Sequence, residues 1–148
     1  MNALAWMAVA LGCAATFDDL RRRQVANGIN LAGVAAGLGW HAGTSGATGL
    51  ERSAGGAAVG FLVFLVFYVA GAMGAGDIKL MAAFGALLGP SGILLAALFA
   101  APAGGLMAAA WLAWKRGARD IPYAIPYAPA ITLGAWLARA AGGLSLAM

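Results

Sequence analysis

Apolar residues fill most of the chain, and short polar stretches divide them into six segments. The segments cover residues 2–17, 28–42, 54–73, 78–89, 91–114 and 123–142. The third and the fifth are long enough for helices that cross the hydrocarbon core of a bilayer, which takes about 20 residues. The second and fourth are shorter and rich in glycine, so they would have to tilt, thin the bilayer or re-enter it. The pattern predicts an all-α polytopic membrane protein with about six transmembrane helices.

The composition also places the chain in a lipid bilayer. Of its 148 residues, 63% are hydrophobic and only 9% are charged, whereas soluble domains carry about 25% charged residues. Its 23 glycines suit close helix packing in lipid, where association depends on contact between small residues. The length indicates one domain, which we assign to residues 1–148.

Most of the basic residues fall on one side of the six-segment arrangement. They are Arg21, Arg22 and Arg23 after the first segment, Lys79 in the fourth, and Lys115, Arg116 and Arg119 after the fifth. Because loops left in the cytoplasm are rich in Lys and Arg, we expect this side to be cytoplasmic and both termini to lie outside. The net charge of +4 is then explained by membrane topology, and no nucleic-acid partner is expected.

Prolines shape the fifth and sixth segments. Pro102 is expected to kink the fifth helix. The run from Ile121 to Pro129 contains three prolines, each of which disfavours helical geometry for the residue before it. We therefore expect extended chain here, leading into the sixth helix at the cytoplasmic boundary.

The five acidic residues are Asp18, Asp19, Glu51, Asp77 and Asp120. The pair at 18 and 19 and the single residue at 77 both lie where apolar sequence meets the predicted cytoplasmic side. Gly74 and Gly76 precede Asp77, and glycine allows backbone conformations that are closed to other residues. A carboxylate in a first helical turn is also favoured by the helix dipole. A plain helix cap, with Lys79 as a snorkelling anchor, is therefore the competing interpretation of Asp77.

Two carboxylates on one side of a membrane suggest acid–base chemistry. If they are close together, both cannot ionise and they share one proton. One carboxylate can then take a proton from water while the other donates to the scissile carbonyl oxygen, as in aspartic peptidases. This chemistry needs no cofactor, metal or nucleophilic side chain. The residues alone leave the choice between Asp18 and Asp19 open, since they point about 100° apart on a helix, and they predict that His41 lies on the outer side.

Three motifs resemble those of the type IV prepilin peptidases, which are polytopic GxGD aspartic peptidases. Gly74-Ala75-Gly76-Asp77-Ile78-Lys79 resembles the GxGD-x-K signature. Asp19 with Ala26-Asn27 resembles a first motif in which Ile-Pro-Asn follows an aspartate, although Ala26 replaces the proline. The run from Ile125 to Gly134, with Pro126 and Tyr127, is similar to the closing segment of short members that serve tight-adherence (Flp-type) pili.

The resemblance implies a site, a substrate and a location. It selects Asp19 over Asp18 and pairs it with Asp77 as the catalytic residues. It implies removal of the short basic leader of a prepilin at the cytoplasmic face of the bacterial inner membrane, with the pilus assembly machinery as a further partner. Larger members carry a methyltransferase domain with paired Cys-x-x-Cys motifs. Cys13 is the single cysteine of this chain, so we expect no methyltransferase domain.

Two other functional classes use similar residues. A metal-dependent phosphotransferase acting on lipid-linked substrates also places aspartates at the cytoplasmic boundary, but its Mg²⁺ usually needs further oxygen ligands. A small ion-coupled transporter, or a structural subunit of a pilus or secretion complex, is the non-enzymatic alternative. Transporters place ionisable groups near the bilayer midplane, whereas these aspartates are predicted at its boundary.

Overall fold

A computed structural model describes residues 3–71, 73–114 and 126–145, which form four α-helices. The helices are α1 (Ala3–Arg22), α2 (Asn27–Val69), α3 (Ala75–Trp114) and α4 (Ala128–Ser145). Three of them, α1, α2 and α3 as far as Ala110, are long and apolar enough to cross a membrane. The predicted all-α membrane architecture is confirmed.

Two of the helices change direction at a glycine. Gly46 in α2 has φ 59° and ψ −137°, and Gly89 in α3 has φ 75° and ψ 176°. Side-chain-bearing residues rarely adopt positive φ, because the β-carbon clashes with the backbone. A β-carbon on Gly46 would meet nothing within 4 Å, so the backbone conformation alone requires glycine there. Each helix therefore has two segments, α2a (27–45) and α2b (47–69), and α3a (75–88) and α3b (90–114).

The two segments of α2 run in opposite directions along α3a. In α2a, Gly33 lies against Ala83 and Gly37 lies against Ala86, so the two segments are parallel. In α2b the order is reversed, since Gly56 lies against Gly85 and Gly60 lies against Met81. These last contacts join backbone to backbone, and glycine permits that approach. Gly46 is thus the point at which α2 folds back on itself.

Helix α4 packs antiparallel to both α1 and α3b. Trp136 Nε1 donates to the Ala8 carbonyl at 3.1 Å, and Thr16 Oγ1 donates to Thr132 Oγ1 at 3.2 Å. Further along α4, Gly134 packs on the backbone of Ala96 and Ala100. The six helical segments consequently alternate in direction, as the sequence predicts.

Several predicted boundaries are wrong. Residues 43–53, expected to be a loop, are helical except at Gly46, because a single glycine suffices to reverse the chain. Helix α1 continues to Arg22 and α4 begins only at Ala128, while residues 123–125 lie outside the described part of the chain. The break in α3, by contrast, is at Gly89, where the fourth predicted segment ends, and Pro102 lies inside the helix with helical backbone angles.

Side chains from both segments of α2 satisfy the carbonyls at the Gly89 break. Pro90 has no N–H and cannot bond to the carbonyl one turn earlier. The buried Ser53 hydroxyl donates to that carbonyl, Ala86 O, at 2.8 Å. The His41 ring is 3.1 Å from the carbonyl of Leu87. His41 therefore lies at the end of α3a opposite Asp77, as expected.

The core lies along α3a, and the outer surfaces remain apolar. Leu80, Met81 and Phe84 are fully buried between the other segments. Large apolar side chains elsewhere are exposed, including Leu31, Leu62, Val66, Leu98 and Leu106. A helix that is apolar on its outward face as well as its inward face is typical of a membrane span.

Candidate active site

One end of the bundle holds a cavity of about 920 Å³. The carboxyl end of α1 meets the amino ends of α2a, α3a and α4 there, because neighbouring segments alternate in direction. Both Asp19 and Asp77 line this cavity, together with Asn27, Lys79 and Tyr127. Residues far apart in the sequence are thus brought together by the helix reversals.

Asp19 lies in the last turn of α1 and is only 5% exposed. Its Oδ2 accepts a hydrogen bond of 3.0 Å from the backbone N–H of Ala128, the first residue of α4. The first N–H groups of a helix lack partners within the helix and carry partial positive charge. This contact fixes the Asp19 carboxylate at the amino end of α4.

Asp77 lies in the first turn of α3 and is also buried. Its Oδ2 accepts a 3.2 Å hydrogen bond from the Gly74 N–H, and its own N–H donates to Gly74 O at 3.1 Å. This reciprocal arrangement resembles a capping box. The cap interpretation of Asp77 is therefore correct as local structure, yet the same carboxylate lines the cavity with Asp19. The two are near enough to interact electrostatically.

The Asp18 carboxylate has different hydrogen-bond and ion-pair partners from the Asp19 carboxylate. Its Oδ2 accepts a 2.8 Å hydrogen bond from the backbone N–H of Ala26, and its Oδ1 lies 3.3 Å from Arg22 Nε. Ala26 immediately precedes α2 and has no side chain that could cap that helix. The Asp18 carboxylate thus stabilises the turn between α1 and α2.

The remaining motif residues connect the helix ends around the cavity. Lys79 Nζ donates to Asn27 Oδ1 at 2.8 Å and so links the first turns of α3 and α2. A β-carbon on Gly76 would lie 3.4 Å from the Val25 nitrogen, and one on Gly74 would lie 3.4 Å from Asp77 Oδ2. Both glycines therefore lie close against the site.

Asn30 is a polar residue at the site that sequence reasoning missed. It is 4% exposed, and its Nδ2 is 3.5 Å from the carbonyl of Gly76, the residue before Asp77. Its Oδ1 is buried without a hydrogen-bond partner. The available signal was a second asparagine three positions after Asn27, on the same helix face.

Pro126 and Tyr127 form the entry to α4. Pro126 is buried, and Tyr127 is half-buried against Gly104, where a β-carbon would overlap the phenol ring. Burial, and secondarily the negative charge of Asp77, raises the pKa of the Tyr127 phenol. At neutral pH this phenol is therefore a hydrogen-bond donor on the cavity wall.

The described residues contain no group of three His, Cys, Asp or Glu side chains that could hold a metal ion. The chemical groups at this end of the bundle are two buried carboxylates, a phenol, and cations at the rim. Such a set can transfer protons to and from a bound amide.

Fold and cavity together define a helical membrane protein with two buried carboxylates on one cavity. The family model of the type IV leader peptidase family matches residues 6–109, and the chain belongs to that family. The match includes both Asp19 and Asp77. It confirms the resemblance seen in the motifs at the level of the family and indicates a peptidase. No curated protein and no solved structure matches the chain.

Proposed function

We propose that this protein is an aspartic endopeptidase that removes the short basic leader of Flp-type prepilins, with Asp19 and Asp77 as its catalytic pair. The observation that carries the proposal is the burial of both carboxylates on one cavity. They come from α1 and α3, which the helix reversals bring together. Membership of the leader peptidase family supports the reaction class.

The proposed chemistry needs only the two carboxylates and water. In a site of low dielectric constant, two neighbouring carboxylates share one proton. The ionised carboxylate takes a proton from water as the water oxygen bonds to the scissile carbonyl carbon, and the protonated one donates to the carbonyl oxygen. The carbon–nitrogen bond of the resulting tetrahedral intermediate then breaks as the leaving nitrogen receives a proton from one carboxyl group, and the other carboxylate takes a proton from a hydroxyl of the intermediate, which restores the shared proton of the dyad. The products are a carboxylate and a free amine.

The contacts of Asp18 support the choice of Asp19. The Asp18 carboxylate is occupied by Arg22 and by the N–H of Ala26, so its role is in the turn. Asp19 is the more buried of the two and is fixed at the start of α4. We assign supporting roles to Gly74, Gly76, Asn27 and Lys79, which hold the turns that carry the two aspartates.

The charges around the cavity support an orientation. Arg21, Arg22, Arg23 and Lys79 lie at the same end of the bundle as the aspartates. We propose from the positive-inside bias that this end faces the cytoplasm and that both chain ends lie outside. The bacterial inner membrane is the location that the family resemblance implies. Asp18 offsets the charge of Arg22, which lessens the repulsion of a basic leader. We treat residues 1–148 as one peptidase domain working beside the pilus assembly machinery.

Cleavage by the purified protein tests this function. The protein in lipid nanodiscs is incubated with a prepilin, with and without EDTA, and the mass of the product is measured by mass spectrometry. We expect loss of the leader through a single cut after the glycine that ends it, with the same rate in EDTA. An uncut prepilin in the presence of folded protein would contradict the proposal, and cleavage abolished by EDTA would indicate metal chemistry.

A further inference from the structure

Tyr127 lines the cavity together with Asp19 and Asp77, and the motif resemblance assigns it no chemical role there. The residue after it, Ala128, donates its backbone N–H to Asp19. The Tyr127 phenol in turn lines the cavity and feels the charge of Asp77. One short stretch of chain thus carries a backbone contact to one carboxylate and a side chain near the other.

The position of the phenol is sterically fixed. The ring lies so close to Gly104 that a β-carbon there would overlap it. Ala108, one turn further along α3b, also lines the cavity. At its other end Tyr127 is anchored by its backbone carbonyl, which accepts hydrogen bonds from Ala130 and Ile131 at 3.1 and 3.2 Å. The ring is therefore held at both ends, and its hydroxyl cannot easily leave the cavity wall.

Within residues 3–71, 73–114 and 126–145, no hydrogen bond to the Tyr127 hydroxyl is found, although the residue is half-buried. Buried phenols usually have a partner. A bound peptide in the cavity would bring carbonyl oxygens, which accept hydrogen bonds from such a group.

We propose that the Tyr127 hydroxyl donates a hydrogen bond to the scissile carbonyl oxygen while that oxygen becomes negative in the transition state. This role rests on the proposed peptidase function and adds a second donor beside the proton of the dyad. No atom is transferred from Tyr127, so the balance of the hydrolysis is unchanged. Fixed donors aimed at a developing oxyanion cost little reorganisation and act strongly in a water-poor site.

The first test is the kinetics of Tyr127→Phe, which removes only the hydroxyl. We expect kcat to fall about 100-fold, the scale seen when one oxyanion donor is removed, with KM within threefold of wild type. Tyr68→Phe is the matched control, because Tyr68 is exposed near the end of α2 and does not line the cavity. It should retain wild-type kcat. A Tyr127→Phe enzyme with kcat within twofold of wild type, or with a change in KM alone, overturns the proposal.

A second test does not depend on how well the phenylalanine variant folds. A fluorinated tyrosine of lower phenol pKa is incorporated at position 127, which changes the acidity with little change in shape. A more acidic phenol donates a stronger hydrogen bond to a developing oxyanion, so kcat at the pH optimum should rise, with KM within threefold of wild type. A kcat equal to that of wild type overturns the proposal while leaving the peptidase function intact. If the wild-type protein is as inactive as Asp77→Asn, both the role of Tyr127 and the peptidase function are overturned.

Discussion

Neighbouring aspartates at the end of α1 have different structural roles. Asp18 and Asp19 point about 100° apart on the helix, so one contacts the turn before α2 while the other contacts α4. Spacing alone predicts that they diverge. It cannot predict which of them meets Asp77, because that depends on where α4 begins, and the packing of the other helices determines that point.

Asp18 should contribute to stability and not to catalysis. We expect Asp18→Ala to lower the free energy of unfolding by about 1 kcal/mol, because the Ala26 N–H loses its acceptor. Arg22→Ala is the matched control for the ion pair. Arg22 is 69% exposed, and exposed pairs contribute little, so this variant should change stability by less than about 0.5 kcal/mol. Steric-trapping measurements in bilayers distinguish the two, and equal losses would contradict this account of the turn.

At the level of the helices, the reversals at Gly46 and Gly89 determine the architecture. Hydrophobic patterning predicted the number of helical segments, although several of their bounds differ from the prediction. It placed a long polar loop between the second and third, because residues 43–53 contain Thr, Ser, Gly and charged residues. Those residues are helical because they lie at the bundle end, where polar side chains are solvated and Thr44 and Thr48 bond back to the helix. Local composition therefore mispredicted the element, although the topology was right.

Gly46 should resist substitution because of its backbone conformation alone. Gly46→Ala is expected to cost about 1–3 kcal/mol, the usual cost of holding a residue in a sparsely populated region. Gly43→Ala is the matched control, since that β-carbon also meets nothing within 4 Å but the backbone is helical. Alanine there should be neutral or slightly stabilising. Equal unfolding free energies for the two variants would show that the reversal does not require glycine.

At the contact between α2b and α3a, the neighbouring glycines Gly55 and Gly56 are expected to respond differently to substitution by alanine. A β-carbon on Gly56 would overlap the Gly85 carbonyl, whereas one on Gly55 would reach Pro90 Cγ at an ordinary 3.6 Å. Because backbone cannot move aside as a side chain can, Gly56→Ala should cost about 1–3 kcal/mol and lower the thermal midpoint. Gly55→Ala should leave it unchanged. If Gly56→Ala has the same thermal midpoint as wild type, the close approach of α2b and α3a is incorrect.

At the scale of the whole molecule, alternating helix direction places the site and most of the basic residues in the described part of the chain at one end. This consequence could be read from the sequence, because the count of segments fixes which ends share a side. The cavity could not be predicted from the sequence, because its walls include the turn at 23–26, the first turn of α3 and the entry to α4. Its position depends on the exact start of each helix, and hydropathy determines starts only to within a few residues.

Labelling from each side of the membrane tests the orientation. In a Cys13→Ser background, Gln24→Cys places a thiol at the cavity end and Ser45→Cys places one at the opposite end, both at exposed positions. A membrane-impermeant maleimide added to intact spheroplasts should label Cys at 45 and reach position 24 only after the membrane is opened. The reverse pattern would place the cavity outside the cytoplasm and contradict the proposed orientation.

The catalytic role of Asp19 and Asp77 is tested most directly by the cleavage rates of three isosteric variants. Asp18→Asn, Asp19→Asn and Asp77→Asn are compared with wild type on one prepilin substrate, at matched membrane levels, by following loss of the leader in the mass spectrum. We predict that Asp19→Asn and Asp77→Asn are each slower by at least about 10³-fold, since each removes one member of the acid–base pair, while Asp18→Asn cleaves within a few-fold of wild type. Leader removal by the Asp19 or Asp77 variant at the wild-type rate would contradict this role.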